Sequence, residues 1–267
     1  MKKTPLLNMA AACLSTSLFL LSSCHKGDLP VFDPRNGNAD FKQCVITKLE
    51  GKGGGVEFPF DMHRTITYNS RRDPVAVEPD YVGTGSPRLV FYYDNKGRLI
   101  SLGGEYLNGG FESWHNYIYD KAGRITGDSV YIFGTVGDPG SALIKRYSEL
   151  IYDDLNRVIM EVRDPHQAGP YQDTTRYSYD ARGNLFGNIK PYDNKVNPLL
   201  SNKIWRFLAR NYSVNNAGSP TAYNDHGLPL RLEGNALDNW YYDIWGVSGD
   251  VVTIEYNCNS APPASLP

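Results

Sequence analysis

The side chains here with usable chemistry are four cysteines, five histidines, four tryptophans and a Tyr-Asp dipeptide that keeps returning. As catalytic machinery they fall short. No G-x-S-x-G, H-E-x-x-H or phosphate-binding loop occurs: Gly51-Lys52-Gly53-Gly54-Gly55 lacks the spacing of the last and reads as a hairpin turn, and Gly83-Thr84-Gly85-Ser86-Pro87 reads as a loop. His25, His63, His115, His166 and His226 stand isolated, the pattern of surface or internally satisfied histidines rather than metal ligands. Two Tyr-Asp carboxylates would imitate a glycosidase pair if they faced each other at about 5 to 9 Å, but a turn accounts for each Asp without it. The sequence therefore assigns no catalytic residue, no metal ligand and no cofactor. One cluster suits recognition. Trp240, Tyr241, Tyr242 and Trp245, beside Asp238, Asn239 and Asp243, would make an aromatic platform for a sugar ring. A core strand with its rings packed inward is the other reading of the same residues.

The elements that must carry these groups begin with an export segment. Lys2-Lys3, an apolar run from Pro5 to Leu21 and the small residues Ser22-Ser23 before Cys24 have the three regions of a secretory signal. The Leu21-Ser22-Ser23-Cys24 ending resembles the lipobox of bacterial lipoproteins. That resemblance implies a diacylglycerol thioether on Cys24, cleavage before it and an N-linked acyl chain such as palmitate, which together hold a domain at a bilayer without a protein span. It divides the chain into a signal peptide (1–23), a lipid anchor and tether (24–41) and one folded domain (42–267). Gly27, Asp28, Pro30, Asp33, Pro34, Gly37 and Asp40 give the tether its linker composition. His25, rather than Asp, follows the anchor, and the resemblance then implies the outer membrane of the cell envelope; neither face of that membrane is favoured. No later window holds about 18 apolar residues, so no second crossing helix is expected.

Without Lys2 and Lys3, 25 basic residues face 29 acidic ones, a net charge near −4 that gives no footprint for nucleic acid. Nineteen Tyr and 26 Gly favour strands and tight turns. With Cys13 in the signal and Cys24 acylated, Cys44 and Cys258 remain in an oxidising compartment and read as a disulfide. That bond would make the first and last strand candidates, Cys44 to Leu49 and Val251 to Tyr256, neighbours.

Between the cysteines one pattern recurs. Tyr93-Asp94-Asn95-Lys96-Gly97-Arg98-Leu99 returns as Tyr119-Asp120-Lys121-Ala122-Gly123-Arg124-Ile125. It comes again as Tyr152-Asp153-Asp154-Leu155-Asn156-Arg157-Val158 and Tyr179-Asp180-Ala181-Arg182-Gly183-Asn184-Leu185. Tyr223-Asn224-Asp225-His226-Gly227 is a degenerate copy, and Tyr68-Asn69-Ser70-Arg71-Arg72 is a weaker one with Arg72 in the glycine slot. Asp or Asn hydrogen-bonds the backbone two residues on, and Gly three residues later supplies the left-handed conformation that closes a type I turn with a bulge. Asn156 replaces that Gly once, and Asn tolerates the conformation best among other residues. The turns are thus assigned to Asp94/Gly97, Asp120/Gly123, Asp153/Asn156, Asp180/Gly183 and Asn224/Gly227.

Steps of 25, 26, 33, 27 and 44 residues between the repeat tyrosines each hold one hairpin, which predicts about 11 to 15 strands. The longest step holds one short helix between Leu199 and Arg210, with Leu200, Ile204 and Leu208 four apart and Ser201 near its start, expected to plug or cover an end of the sheet. The repeats resemble the YD repeats of bacterial wall-associated and Rhs-type proteins. Together with the lipobox and the Cys-led first strand they are similar to small Gram-negative lipoproteins of unknown function with a porin-like curved sheet. The expected fold is all-β: an antiparallel meander of YD-type hairpins in a strongly curved or closed, barrel-like sheet. Neither resemblance supplies a catalytic residue. The favoured function is non-catalytic binding of a ligand, a glycan or an envelope protein by a membrane-anchored domain. The alternative is a carbohydrate-active or other hydrolytic accessory enzyme. A deep pocket with two convergent carboxylates would favour the enzyme, and a shallow aromatic groove would favour binding.

Overall fold

The computed structural model describes residues 40–53, 60–164, 173–187, 191–218, 220–233, 244–247 and 251–258. The export segment, Cys24, and Trp240, Tyr241 and Tyr242 lie outside them. In chain order the strands are β1 (Val45–Gly53), β2 (Phe60–Tyr68), β3 (Pro74–Pro79), β4 (Arg88–Tyr93), β5 (Leu99–Glu105), β6 (Gly110–Tyr119), β7 (Ile125–Thr135), β8 (Ile144–Tyr152), β9 (Val158–Arg163), β10 (Asp173–Arg176) and β11 (Tyr192–Val196). A 3-10 turn (Pro198–Ser201) and the helix α1 (Lys203–Leu208) follow, then β12 (Asn215–Ala217), β13 (Ala222–Tyr223), β14 (Pro229–Glu233) and β15 (Val251–Asn257). The fold is all-β with one short helix.

Every repeat turn is built the same way. The Asp94 side chain accepts the N–H groups of Lys96 and Arg98 at 2.9 Å each, and the Gly97 N–H bonds the Asp94 carbonyl at 2.9 Å. Asp153, Asp180 and Asn224 each accept two such N–H groups as well. Gly97 and Gly123 have φ of 76° and 80°, and Asn156 takes 58°. The weakest copy does the same: Asn69 accepts from Arg71 and Asp73, and Arg72 itself adopts φ 64°. The strand register slips by one residue at Tyr68, Tyr93, Tyr119 and Tyr152, as a bulge beside each turn requires.

Thirteen strands form one antiparallel sheet in the order β10-β9-β8-β7-β6-β5-β4-β3-β2-β1-β15-β14-β13. Cys44 and Cys258 are bonded, 214 residues apart in sequence and 3.8 Å between Cα atoms, and β1 pairs with β15. The first and last strands are neighbours, yet the sheet is not closed, and the closed-barrel expectation is corrected. After β10 the chain leaves the sheet, builds the small β11-β12 pair and α1, and re-enters on the far side of β1. Among the described residues β10 and β13 are the two edges of the sheet, so joining the chain's ends does not join the sheet's ends.

The helix also departs from expectation. It is capped by Asn202, whose side chain accepts the Ile204 N–H at 2.8 Å, and the preceding turn is capped by Asn197; Ser201 caps neither. Its buried side chains are Ile204, Trp205 and Phe207, not a four-residue stripe through Leu200 and Leu208. Nor does it plug an end. Trp205 packs edge-on against Phe91 of β4, and Phe207 against Tyr117 of β6 at 5.3 Å, so α1 lies on one face of the sheet. Leu99, Ile125, Leu150, Val158, Ile244 and Val247 complete this core. Each such side chain stabilises the fold by about 1.5 to 3 kcal/mol on burial.

Two tests follow from this architecture. A bridge spanning 214 residues stabilises, in the chain-entropy picture, by on the order of 5 kcal/mol. Reduction should therefore lower the melting temperature clearly, and an unchanged melt with both thiols shown free by alkylation would refute it. Gly123 tests the turns cleanly, since a Cβ built there meets nothing within 4 Å and any cost is conformational. Gly123→Val should destabilise by about 1 to 3 kcal/mol and Gly123→Asn by much less; equal losses in denaturant titrations would count against a turn that needs the left-handed conformation.

Candidate functional site

The helix-covered face of the sheet is organised by the repeat tyrosines. Pairing of β5 with β6 begins at Ser101, of β7 with β8 at Gly127, and of β3 with β4 at Ala76, two residues inside each strand. The first carbonyl of each strand thus lies beyond the ladder, and a tyrosine from the next repeat takes it. Tyr93 donates to the Pro74 carbonyl at 2.6 Å, Tyr119 to Leu99 at 2.8 Å and Tyr152 to Ile125 at 2.6 Å. Arginines bind the repeats a second time. Arg98 is paired with Asp94 and lies 4.8 Å from the Tyr119 ring centroid, Arg124 joins Asp120 to Tyr152 at 5.3 Å, and Arg157 joins Asp153 to Tyr179 at 4.1 Å. The backbone N–H groups of Arg98 and Arg124, and then their guanidinium groups, hold the Asp94 and Asp120 carboxyls below the usual carboxylate range. Burial pushes the Tyr119 phenol up to about 12, so it stays a donor at any physiological pH.

The run of arginine links ends at the fourth copy. Asn184 stands in that slot of the fourth copy, fully buried, and its side chain accepts the Val214 and Asn215 N–H groups at 3.0 and 2.9 Å. One side-chain change thereby turns the repeat into a dock for the β11-β12 pair. Tyr192-Asp193, a further Tyr-Asp pair with no glycine after it, supplies the next tyrosine: Tyr192 donates to the Leu185 carbonyl at 2.9 Å.

Two cavities flank α1 on this face. The first, of about 250 Å³, is bordered by Leu99, Tyr119, Ile125 and Tyr152 of the ladder, by the turn positions Gly123 and Asn156, and by Ile204, Phe207 and Tyr212. Arg98, Arg124, Lys203 and Arg206 also line it, and among the described residues no carboxylate does. The second, of about 390 Å³, holds His115, Asp128, Ser148, Glu161, Arg163, Tyr177 and Arg210. Here Arg210, from the segment after α1, reaches Glu161 at 3.3 Å and Asp128 at 3.8 Å. His115 lies 3.0 Å from Asp128, and Arg163 3.5 Å from Glu161. Burial would lower the Arg210 pKa, but the two carboxylates outweigh it and raise it. This pocket has two convergent carboxylates, neither from a Tyr-Asp turn. Both are engaged by cations, Asp128 by Arg210 and Glu161 by Arg210 and Arg163.

Trp245 is 1 % exposed, 5.5 Å from Trp205, with its segment clamped by Arg64 through the Trp245 and Gly246 carbonyls at 2.9 Å. It therefore belongs to the core and offers no platform face, while its proposed platform partners lie outside the described residues. Cys44, His226 and Cys258 bring ligand atoms within 4.8 Å of one another, but both sulfurs are joined in the disulfide. His63 faces Glu50 and Asp80 at the surface. The cavity-lining Arg206 and the Asp128–Arg210–Glu161 network were not foreseen. Alternation does put His115, Tyr117 and Tyr119 on one face, but nothing local shows that residues 203–210 cross over them.

The tyrosine ladder can be tested directly. Tyr119→Phe keeps the ring and leaves the Leu99 carbonyl without its donor, so it should cost about 1 to 3 kcal/mol in urea unfolding. No measurable loss would remove the hydroxyl from the account of the motif.

No family model matches the chain, and no curated protein matches it. Among solved structures, those of TcdB2-TccC3-Cdc42 and TcdB2-TccC3-TEV resemble it over 64 % of its length, at 12 % identity and a TM-score of 0.27. The chain corresponds to 9 % of the length of each of those chains.

Proposed function

We propose that this protein is a lipid-anchored binding protein of the bacterial cell envelope, held at the outer membrane through Cys24, and that it takes its ligand in the 250 Å³ cavity beneath α1. The observation that carries the binding half is the lining of that cavity. Cations, tyrosine edges and apolar walls converge there, and among the described residues no carboxylate, thiol or histidine lines it to serve as base or nucleophile. The anchoring half rests on the residues from Leu21 to Cys24. A hydrolytic reading is favoured by one feature, the His115, Asp128, Glu161 and Tyr177 set of the second cavity. The ion pairs of Arg210 count against it, because they occupy the carboxylates in the resting protein.

Two measurements test the proposal. Cys24→Ser should abolish incorporation of radioactive fatty acid, and persistent labelling would defeat the anchor. Purified protein should give no turnover of nitrophenyl glycosides or esters. Turnover that disappears in Asp128→Asn or Glu161→Gln would replace the binding reading with the hydrolytic one.

A further inference from the structure

Three arginines are set into the body of the protein, and two of them are fully provided for. Arg64 is bonded to the carbonyls of His63, Trp245 and Gly246 and to the Ser86 hydroxyl. Arg210 has Asp128, Glu161 and the Phe207 carbonyl. Arg206 has neither arrangement. Its Nε is buried with no hydrogen-bond partner among the described residues, and its guanidinium lies 5.7 Å from the centroid of the Tyr212 ring. Burial lowers its pKa with no carboxylate to offset the effect. A buried cation without a counter-charge is costly, and folded proteins supply one. Among the described residues none stands beside Arg206, which leaves its charge open to a partner bound in the cavity.

The surroundings define that partner. Arg98 and Arg124 are already neutralised by Asp94 and Asp120, so the uncompensated charge of the cavity belongs to Arg206 and Lys203, three residues apart on one side of α1. The Tyr119 and Tyr152 hydroxyls are engaged by backbone carbonyls and leave ring surface, beside Leu99, Ile125 and Phe207, for an uncharged body. At the rim, Asn156 supplies an amide where the other strong repeats have only glycine. A volume of about 250 Å³ is below the roughly 300 to 1,000 Å³ of drug-sized sites.

Resting on the binding reading above, we propose that the cavity receives a small molecule, of the size of one sugar ring, that carries a single oxyanion group, with Arg206 and Lys203 as its charge partners. Phosphate, sulfate and carboxylate share this chemistry, and a planar guanidinium binds any of them through paired N–H groups. The ring of the ligand lies against Tyr119 and Tyr152.

Thermal melts and calorimetry on the lipidated protein in detergent, with inorganic phosphate, glucose 6-phosphate, glucuronate, glucose and N-acetylglucosamine as probes, decide the matter. Saturable stabilisation by the anionic probes and not by the neutral sugars is expected, with the stronger of glucose 6-phosphate and glucuronate assigning phosphate or carboxylate. Arg206→Gln should weaken binding about tenfold or more. It should also melt no lower than the wild type without ligand, since it removes a charge that has no partner. Arg146→Gln, at the second cavity, should bind as the wild type does. Equal binding by wild type and Arg206→Gln would overturn the site. Binding of the neutral sugars alone would overturn the anion while leaving a ligand-binding cavity. Binding of no probe would overturn both.

Discussion

A turn that ends in a left-handed residue and a bulge leaves the next strand's first carbonyl outside the sheet's hydrogen-bond ladder, and most of this structure follows from how that group is satisfied. The tyrosine of the following repeat reaches back to it. A strand therefore cannot be placed without its successor, and the repeats are coupled pairwise through side chains as well as through the sheet. The arginine of each turn adds a second link in the same direction, from its own Asp to the next tyrosine ring. The Tyr-Asp-x-x-Gly-Arg pattern is accordingly a rule for stacking hairpins. Its aspartates are structural, and their oxygens are occupied by backbone N–H groups and arginines.

That division explains what could be read in the sequence. The turns were legible because their causes are local: an Asp side chain, a residue with positive φ and a bulge fit within seven positions. Asn156, and even Arg72, adopt the conformation the pattern demands. The pairing of Cys44 with Cys258 was legible from cysteine number and compartment. The strand order beyond β10 was not, because the departure into β11 and α1 depends on Asn184 meeting Asn215 across 31 residues. Closure does not follow from the disulfide for the same reason: β1 and β15 are neighbours inside the sheet, not at its edges. The helix was found, but its buried face was misjudged, since a segment this short is positioned by Trp205 and Phe207 meeting aromatic rings from the sheet rather than by its own periodicity.

The two cavities show how a shared scaffold separates electrostatic roles. Arg206 and Arg210 are four residues apart, yet among the described residues Arg210 faces two carboxylates and Arg206 none. The polar patch around Arg210 fixes the segment after α1 to β7 and β9, with Asp128 and Glu161 only 4 % and 8 % exposed. Ion pairs so deep add geometric definition more dependably than net stability. The cavity beside Arg206 has the opposite character, with walls from the ladder and no carboxylate among its described lining residues.

The position of β1 has a mechanical side. The strand enters from the N-terminal segment and lies inside the sheet, hydrogen-bonded to β2 on one side and β15 on the other, with the disulfide at its start. A pull on that segment loads both ladders in shear, and the bridge passes the tension to β15 as well. Peeling from an edge, the easy way to unzip a sheet one bond at a time, is not open to a force applied there. The free edges β10 and β13 bear none of it directly, so the body can be tugged from its N-terminal side without unravelling from its weakest strands.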